Sequence, residues 1–395
     1  MVRTESANGD LVVEPNALQE VSSLQTLYVD EHTLCCYFEQ LENCVTLDPL
    51  PPLFNCGSLM QNTLLRVFMW ILGISAVLGN LLVIIFRMNE SPINDAQIKQ
   101  QIFIGGLAVS DFLMGIYMLI IASADIYYGE SYFTMSEQWR RGPVCKLAGF
   151  IGLFASEASV FFITLITLDR FLIVVFTFSK VQFRKTSSKV AVFIIWGFAF
   201  FVSVVPILLS GPDSDFYDLS DVCLGLPLIT RPSSFTFQSS GVGNQLTFDL
   251  PVAEDSKPAW YFSIALFLGV NLLCFLFMLI CYIVIFVTIK DSRRSAGRKE
   301  TLNEEIRMAM KMAAVVGTDF ACWFPVIMMG LLSQTGLAVI PLDAYVWSVV
   351  FVLPVNSSLN PYLYTIASLL DRRPKLIDKT KSVRTVDLSL SNTNI

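Results

Sequence analysis

Three acids stand inside long apolar runs: Asp111, Glu157 and Asp319. Asn80, Asn271, Asn356 and Asn360 share those runs, and Ser159 follows Glu157 by two positions. A charge at the bilayer centre costs about 2.5 kcal/mol or more. Such residues must therefore face a bundle interior and satisfy one another, or bind water and ions. Asp111 with Asn80, Ser159, Asn356 and Asn360 offers a carboxylate among several oxygens, which suits a hard cation such as Na+. We read this set as a hydrated cation network that changes between two helix arrangements. The alternative is a polar cluster of purely structural purpose. Asp319 should bond to the seventh run, through Asn356 or Asn360. Glu157 divides evenly between packing, as a pin from the third run to the fourth and fifth, and switching.

A second set lies at the inner ends of the runs. Asp169-Arg170-Phe171 closes the third. Arg170 can pair with Asp169 beside it or with Glu305 at the base of the sixth. An ion pair that breaks on opening is a bistable element. Asn360-Pro361-x-x-Tyr364 lies in the seventh run. Pro206, Pro325, Pro354 and Pro361 should kink their helices, since proline removes a backbone donor and clashes one turn back. Trp323 beside Pro325 makes the sixth run a plausible pivot.

Seven apolar runs position these groups: roughly 64–86, 100–124, 146–169, 189–210, 260–289, 309–332 and 344–366. Each has the length of about 20 residues that a membrane-crossing helix needs. Composition agrees: 54% of the 395 residues are hydrophobic and only 15% are charged, with a mean hydropathy of +0.60. That excludes a disordered chain and argues against an ordinary cytosolic enzyme. With His32 as the sole histidine, a histidine-rich metal site is excluded, and so is a serine–histidine triad that does not use His32. No run carries a nucleophile–base pair, so catalytic residues are not expected. A transporter would show internal repeats around broken helices, and the first and last three runs show no such likeness.

Charge sets the orientation. With the N-terminus outside, 20 of the 27 Lys and Arg fall on the inner side, as the positive-inside rule requires. The acids concentrate outside, so the net charge of −6 belongs to the outer face. The inner face is basic and suits anionic lipid or an acidic protein surface. The expected fold is therefore an all-α membrane protein, a seven-helix bundle with its N-terminus outside and a small Cys-rich outer segment. Its divisions are 1–58 outside, 59–368 in the bundle and 369–395 as a cytoplasmic tail.

Six of the nine cysteines face the outer, oxidising side. Cys145 and Cys223 are each the sole outer cysteine of their region and should pair. Cys35, Cys36, Cys44 and Cys56 lie in the N-terminal segment and allow three connectivities. Residues 15–29 space Leu18, Leu24 and Leu27 around Val21 like one turn of a leucine-rich repeat. One repeat cannot bury its own face, so the chain reads as a fragment or a short form. The C-terminal Thr393-Asn394-Ile395 could add a strand to a PDZ domain.

Taken together, Asn80, Leu107-Ala108-x-x-Asp111, Cys145, Asp169-Arg170-Phe171, Trp196, Cys322-Trp323-x-Pro325 and Asn360-Pro361-x-x-Tyr364 resemble the rhodopsin-class G-protein-coupled receptors over roughly 60–378. Cys274 stands where that class usually has a proline in its fifth helix, while Tyr282 matches its tyrosine. The segments MGIYMLIIASADIYY (114–128), ASEASV (155–160) with TLITLDR (164–170), and TDFACW (318–323) resemble the leucine-rich-repeat-containing hormone receptors. Asp319 is typical of that group, and the Cys35-Cys36 pair resembles its hinge. Ala321-Cys322-Trp323-x-Pro325 and LPVNSSLNPYLYT (353–365) look nearest to the relaxin receptors. Glycoprotein-hormone receptors come second.

The resemblance implies a mechanism. A peptide hormone binds outside, the sixth helix swings outward, Arg170 is released, and a heterotrimeric G protein docks inside and raises cyclic AMP. Arrestin and a second copy of the chain are further expected partners; nucleic acid is not. A truncated, non-signalling form that restrains a full-length receptor is the remaining alternative.

Overall fold

The computed structural model describes residues 26–29, 35–36, 43–46, 57–60, 62–92, 95–176, 182–209, 217, 220–224, 262, 264–294, 300–334, 337 and 353–363. Cys56, Tyr364, the repeat-like residues 15–25 and the tail from 367 lie outside them.

Among the described residues, six helices are long and apolar enough to cross a membrane. In chain order the helices are α1 (Thr63–Asn89), α2 (Asp95–Tyr128), the short outer α3 (Tyr132–Arg141), α4 (Pro143–Val175), α5 (Lys185–Leu209), α6 (Leu272–Arg294), α7 (Glu300–Gln334) and α8 (Leu353–Pro361). The last belongs to the seventh run, of which 353–363 is described. Two strands, β1 (Thr26–Val29) and β2 (Asn43–Thr46), pair in parallel with Leu27 opposite Cys44. They add a small parallel sheet to the N-terminal segment.

Local signals account for the helix ends. Asn62 caps α1, its side-chain oxygen accepting from the Leu64 amide at 2.9 Å, and so satisfies one of the free donors of the first turn. Pro143 opens α4, where its missing N–H costs nothing. The α1 stripe Leu65, Met69, Gly73, Ala76, Asn80 and Val83 is buried. These positions recur every three or four residues and so form one helix face. The other face carries exposed Leu78 and Leu82, apolar on the outside as lipid requires. Helix α4 is buried along most of its length and is the central strut.

Helix α6 starts differently. Ile264–Asn271 is a π-helix that runs into α6. Cys274, where the resemblance would place a proline, lies in the regular helix three residues past the π turn. In α7, Trp323 beside Pro325 is buried and stacks on Phe267 of the π turn with centroids 5.9 Å apart. A second apolar cluster forms at the inner end, from Val174, Ile285, Ile289, Ile306 and Ala309, and Tyr282 packs against both it and the main core.

Candidate functional site

The polar groups inside the bundle meet at a hub on Asp111, which is fully buried. Its Oδ1 accepts from Ser159 Oγ at 3.2 Å and from Ser357 Oγ at 3.0 Å, and its Oδ2 accepts from Asn360 Nδ2 at 2.9 Å. Helices α2, α4 and α8 are thus tied through one carboxyl. Asn80 joins from α1, donating to the Ala76 and Ser357 carbonyls at 2.9 Å each. It therefore holds the α8 backbone and not Asp111. One turn away, the Asn356 amide donates to Asp319 of α7. Of the two partners expected for Asp319, the structure selects Asn356.

Three buried oxygens of this region make no hydrogen bond: Asp319 Oδ2, Asn356 Oδ1 and Asn360 Oδ1. Oxygens of this kind are what a hard cation or ordered water takes up. Glu157 stands apart from the hub and accepts from Asn271 Nδ2 at 3.1 Å. It joins α4 to the π turn before α6.

At the inner end of α4, Arg170 donates to Asp169 at 2.6 Å, and both are buried. Lys99 of α2 comes within 3.7 Å of the other Asp169 oxygen. Glu305 belongs to α7, but its side chain lies outside the described residues. Pro361 packs against α1: a Cβ on Gly79 would lie 2.9 Å from Pro361 Cγ.

The outer end is closed by Tyr217 and residues 220–224. The Cys145–Cys223 disulfide is present, with Cα atoms 5.4 Å apart. Tyr117 donates to the Val222 carbonyl at 2.8 Å, and Trp139 to the Asp221 carbonyl at 2.9 Å. Arg140 of α3 pairs with Asp221 at 3.0 Å. Burial pushes the Asp221 carboxyl above the usual aspartate range, and Arg140 only partly offsets that. The hinge side is held by a second clamp. Asp125 at the outer end of α2 accepts from the Met60 amide at 2.8 Å and from Arg66 at 2.5 Å, while Arg66 also reaches Ser58 at 2.8 Å. Cys35 and Cys36 are each disulfide-bonded.

Sequence reasoning missed Ser357, Lys99, Arg66, Asp125, Arg140 and Asp221. Ser357 was legible only as a member of the LPVNSSLNPYLYT segment. The charges at the outer ends of the first two runs were a usable signal for Arg66 and Asp125.

A membrane bundle cross-tied at mid-depth by a carboxyl, capped outside and holding a buried arginine inside, is built as a multi-pass receptor. Residues 79–364 match the family described as 7 transmembrane receptor (rhodopsin family). The chain belongs to that family and is a multi-pass plasma-membrane protein. It is 34% identical over 346 residues to the G-protein coupled receptor GRL101 of Lymnaea stagnalis, covering 87% of this chain and 28% of that one. It is 30% identical over 346 residues to human relaxin receptor 2, covering 87% and 42%. It is 30% identical over 337 residues to the follicle-stimulating hormone receptor of Cairina moschata, covering 83% and 42%. The chain thus spans less than half the length of these relatives.

Proposed function

We propose that the chain relays an extracellular peptide hormone of the relaxin/insulin-like kind to heterotrimeric G proteins and raises cyclic AMP. The observation that carries the reading is the buried Asp169–Arg170 pair, at 2.6 Å, facing the basic inner side. It is a buried charge pair at the inner end of α4, and its opening would expose Arg170 to a docking protein. The likeness to relaxin receptors supports the hormone class. The parallel strands β1 and β2 support a repeat-type segment outside, since each turn of such a solenoid contributes one strand. On this reading the hinge disulfides and the Asp125–Arg66 clamp pass the signal to α1 and α2. Tyr282, Trp323, Pro325, Pro361 and Tyr364 then belong to the moving parts, and Na+ at the Asp111 hub is an allosteric ion favouring the closed arrangement.

The test is cyclic AMP in cells expressing the chain beside Arg170→Ala at matched surface level. A raised basal level that the substitution removes supports coupling to the stimulatory G protein. Equal levels in both, with or without relaxin-type peptide, count against it. A glycoprotein-hormone-type signal is the second reading, favoured by the match to a follicle-stimulating hormone receptor.

A further inference from the structure

Glu157 takes no part in the Asp111 hub or in the Arg170 pair. It lies on α4 with no exposed surface, and Asn271, equally buried, faces it from the last residue of the π turn. One hydrogen bond joins them, from Asn271 Nδ2 to Glu157 Oε1 at 3.1 Å. The other half of each group is left over: Glu157 Oε2 and Asn271 Oδ1 are both buried without a hydrogen-bond partner. An ionised carboxylate can only accept, and so can an amide oxygen. Two acceptors in one buried pair cannot satisfy each other. Buried polar atoms are rarely left so.

We propose that Glu157 is a resident protonated carboxylic acid in this receptor. One proton on Oε2 turns it into a donor, and Asn271 Oδ1 is the acceptor it needs. The planar acid and the planar amide then join by two antiparallel hydrogen bonds, and both leftover atoms are used. Among the described residues Glu157 makes no ion pair; along α4, Ala155, Ala158 and Val160 are apolar and buried, and the buried Ser156 and Ser159 carry no charge, Ser156 Oγ making no hydrogen bond and Ser159 Oγ serving Asp111. Cys274, one turn beyond Asn271, is a free thiol and carries no cation. An unpaired carboxylate there would have nothing to offset its desolvation.

The two-point pair also explains its place in the fold. A π turn is a weak point in a helix and is often found at functional sites. Asn271 closes that turn, so the acid on α4 latches the irregular end of α6 to the central strut. This role is independent of which hormone or G protein the chain serves.

Infrared difference spectra of the purified chain in lipid nanodiscs, wild type minus Glu157→Gln, test the proposal. Asp111 and Asp319 are present in both proteins and cancel. We expect the wild type to show a protonated-carboxyl carbonyl band that Glu157→Gln lacks and that shifts in heavy water. A difference containing only carboxylate bands overturns the proposal. Melting gives the second reading. Glutamine puts an N–H donor and a carbonyl acceptor where the neutral acid has its O–H and C=O, at the cost of one extra N–H, so Glu157→Gln should melt near the wild type and Glu157→Leu well below it. A Gln variant that melts as low as the Leu variant, or does not fold, also overturns it.

Discussion

Ser357 donates its hydroxyl to Asp111 Oδ1 at 3.0 Å, across 246 positions of sequence, while its own carbonyl accepts from Asn80 at 2.9 Å. One residue of α8 thus joins α1 and α2 to the seventh helix. Two bonds at a single residue therefore hold this helix to two of its neighbours.

Ser357→Ala removes one hydrogen bond to a carboxyl and leaves the backbone link to Asn80. The cost should be about 1.5 kcal/mol, which lowers the melting temperature by about 2–4 °C for a domain of this size. Thermal melts in detergent check it. A variant that melts with the wild type would mean that the hydroxyl contributes nothing in solution.

Asp319 and Asn356 form a second tie, from α7 to α8. Asp319→Ala leaves the Asn356 amide buried without its acceptor and should change basal signalling. The reciprocal exchange Asp319→Asn with Asn356→Asp restores a donor and an acceptor in the same space. It should return basal cyclic AMP towards the wild-type level. An exchange no better than the single variant would show that the pair is not what sets the basal state.

At the hinge side, Asp125 is fully buried and serves both Arg66 and the Met60 amide. Residues sharing one polar network do not contribute additively. Asp125→Ala should therefore cost more than Arg66→Ala, because it strands a backbone donor as well as a charge. The double variant should cost less than the two singles together, by about 1 kcal/mol. Additive losses in a melting cycle would argue that the clamp is not formed.

The bundle and its central hub were legible in the sequence because membrane burial makes every polar residue informative. Asp111, Ser159 and Asn360 converge as their types and spacing required, and Cys145 meets Cys223. What was not legible is which oxygen goes to which donor. Asn80 was expected beside Asp111 but holds the Ser357 carbonyl, because its α1 stripe faces the α8 backbone. Lys99 was invisible as a partner of Asp169, since basic residues are common at inner helix ends and only the packing of α2 on α4 brings the two together. The outer clamps depend on how 57–60 and 220–224 return to the bundle, and hydropathy does not encode that return.

Asp221 and Arg140 give the outer cap a pH dependence whose sign can be worked out. Burial raises the Asp221 carboxyl above its ordinary range, and Arg140 offsets this only partly. A group whose folded value is raised stabilises the fold fully below the unfolded value and loses that contribution as pH rises through the folded value. The wild type should therefore lose stability relative to Asp221→Asn as pH climbs from below about 4, the ordinary aspartate value, towards neutrality. Melting both proteins across that range checks it, and a difference that does not vary with pH would refute the assignment.

Gly149 is where α4 admits the outer cap. A Cβ there would lie 2.2 Å from the Cys223 carbonyl oxygen and 2.4 Å from the Tyr217 ring. The first obstacle is backbone, pinned by the disulfide to Cys145 only four residues away, so it cannot yield as a flexible side chain would. Cys223 itself already holds a left-handed conformation, φ 59°, which few non-glycine residues adopt. Gly149→Ala should therefore unseat Tyr217 and Cys223, at a cost of about 1–3 kcal/mol, and raise the access of a thiol reagent to Cys145 and Cys223 after mild reduction. Gly105→Ala is the control, because nothing lies within 4 Å of its added methyl. Equal melting of the two variants would show that the cap does not rest on α4 as described.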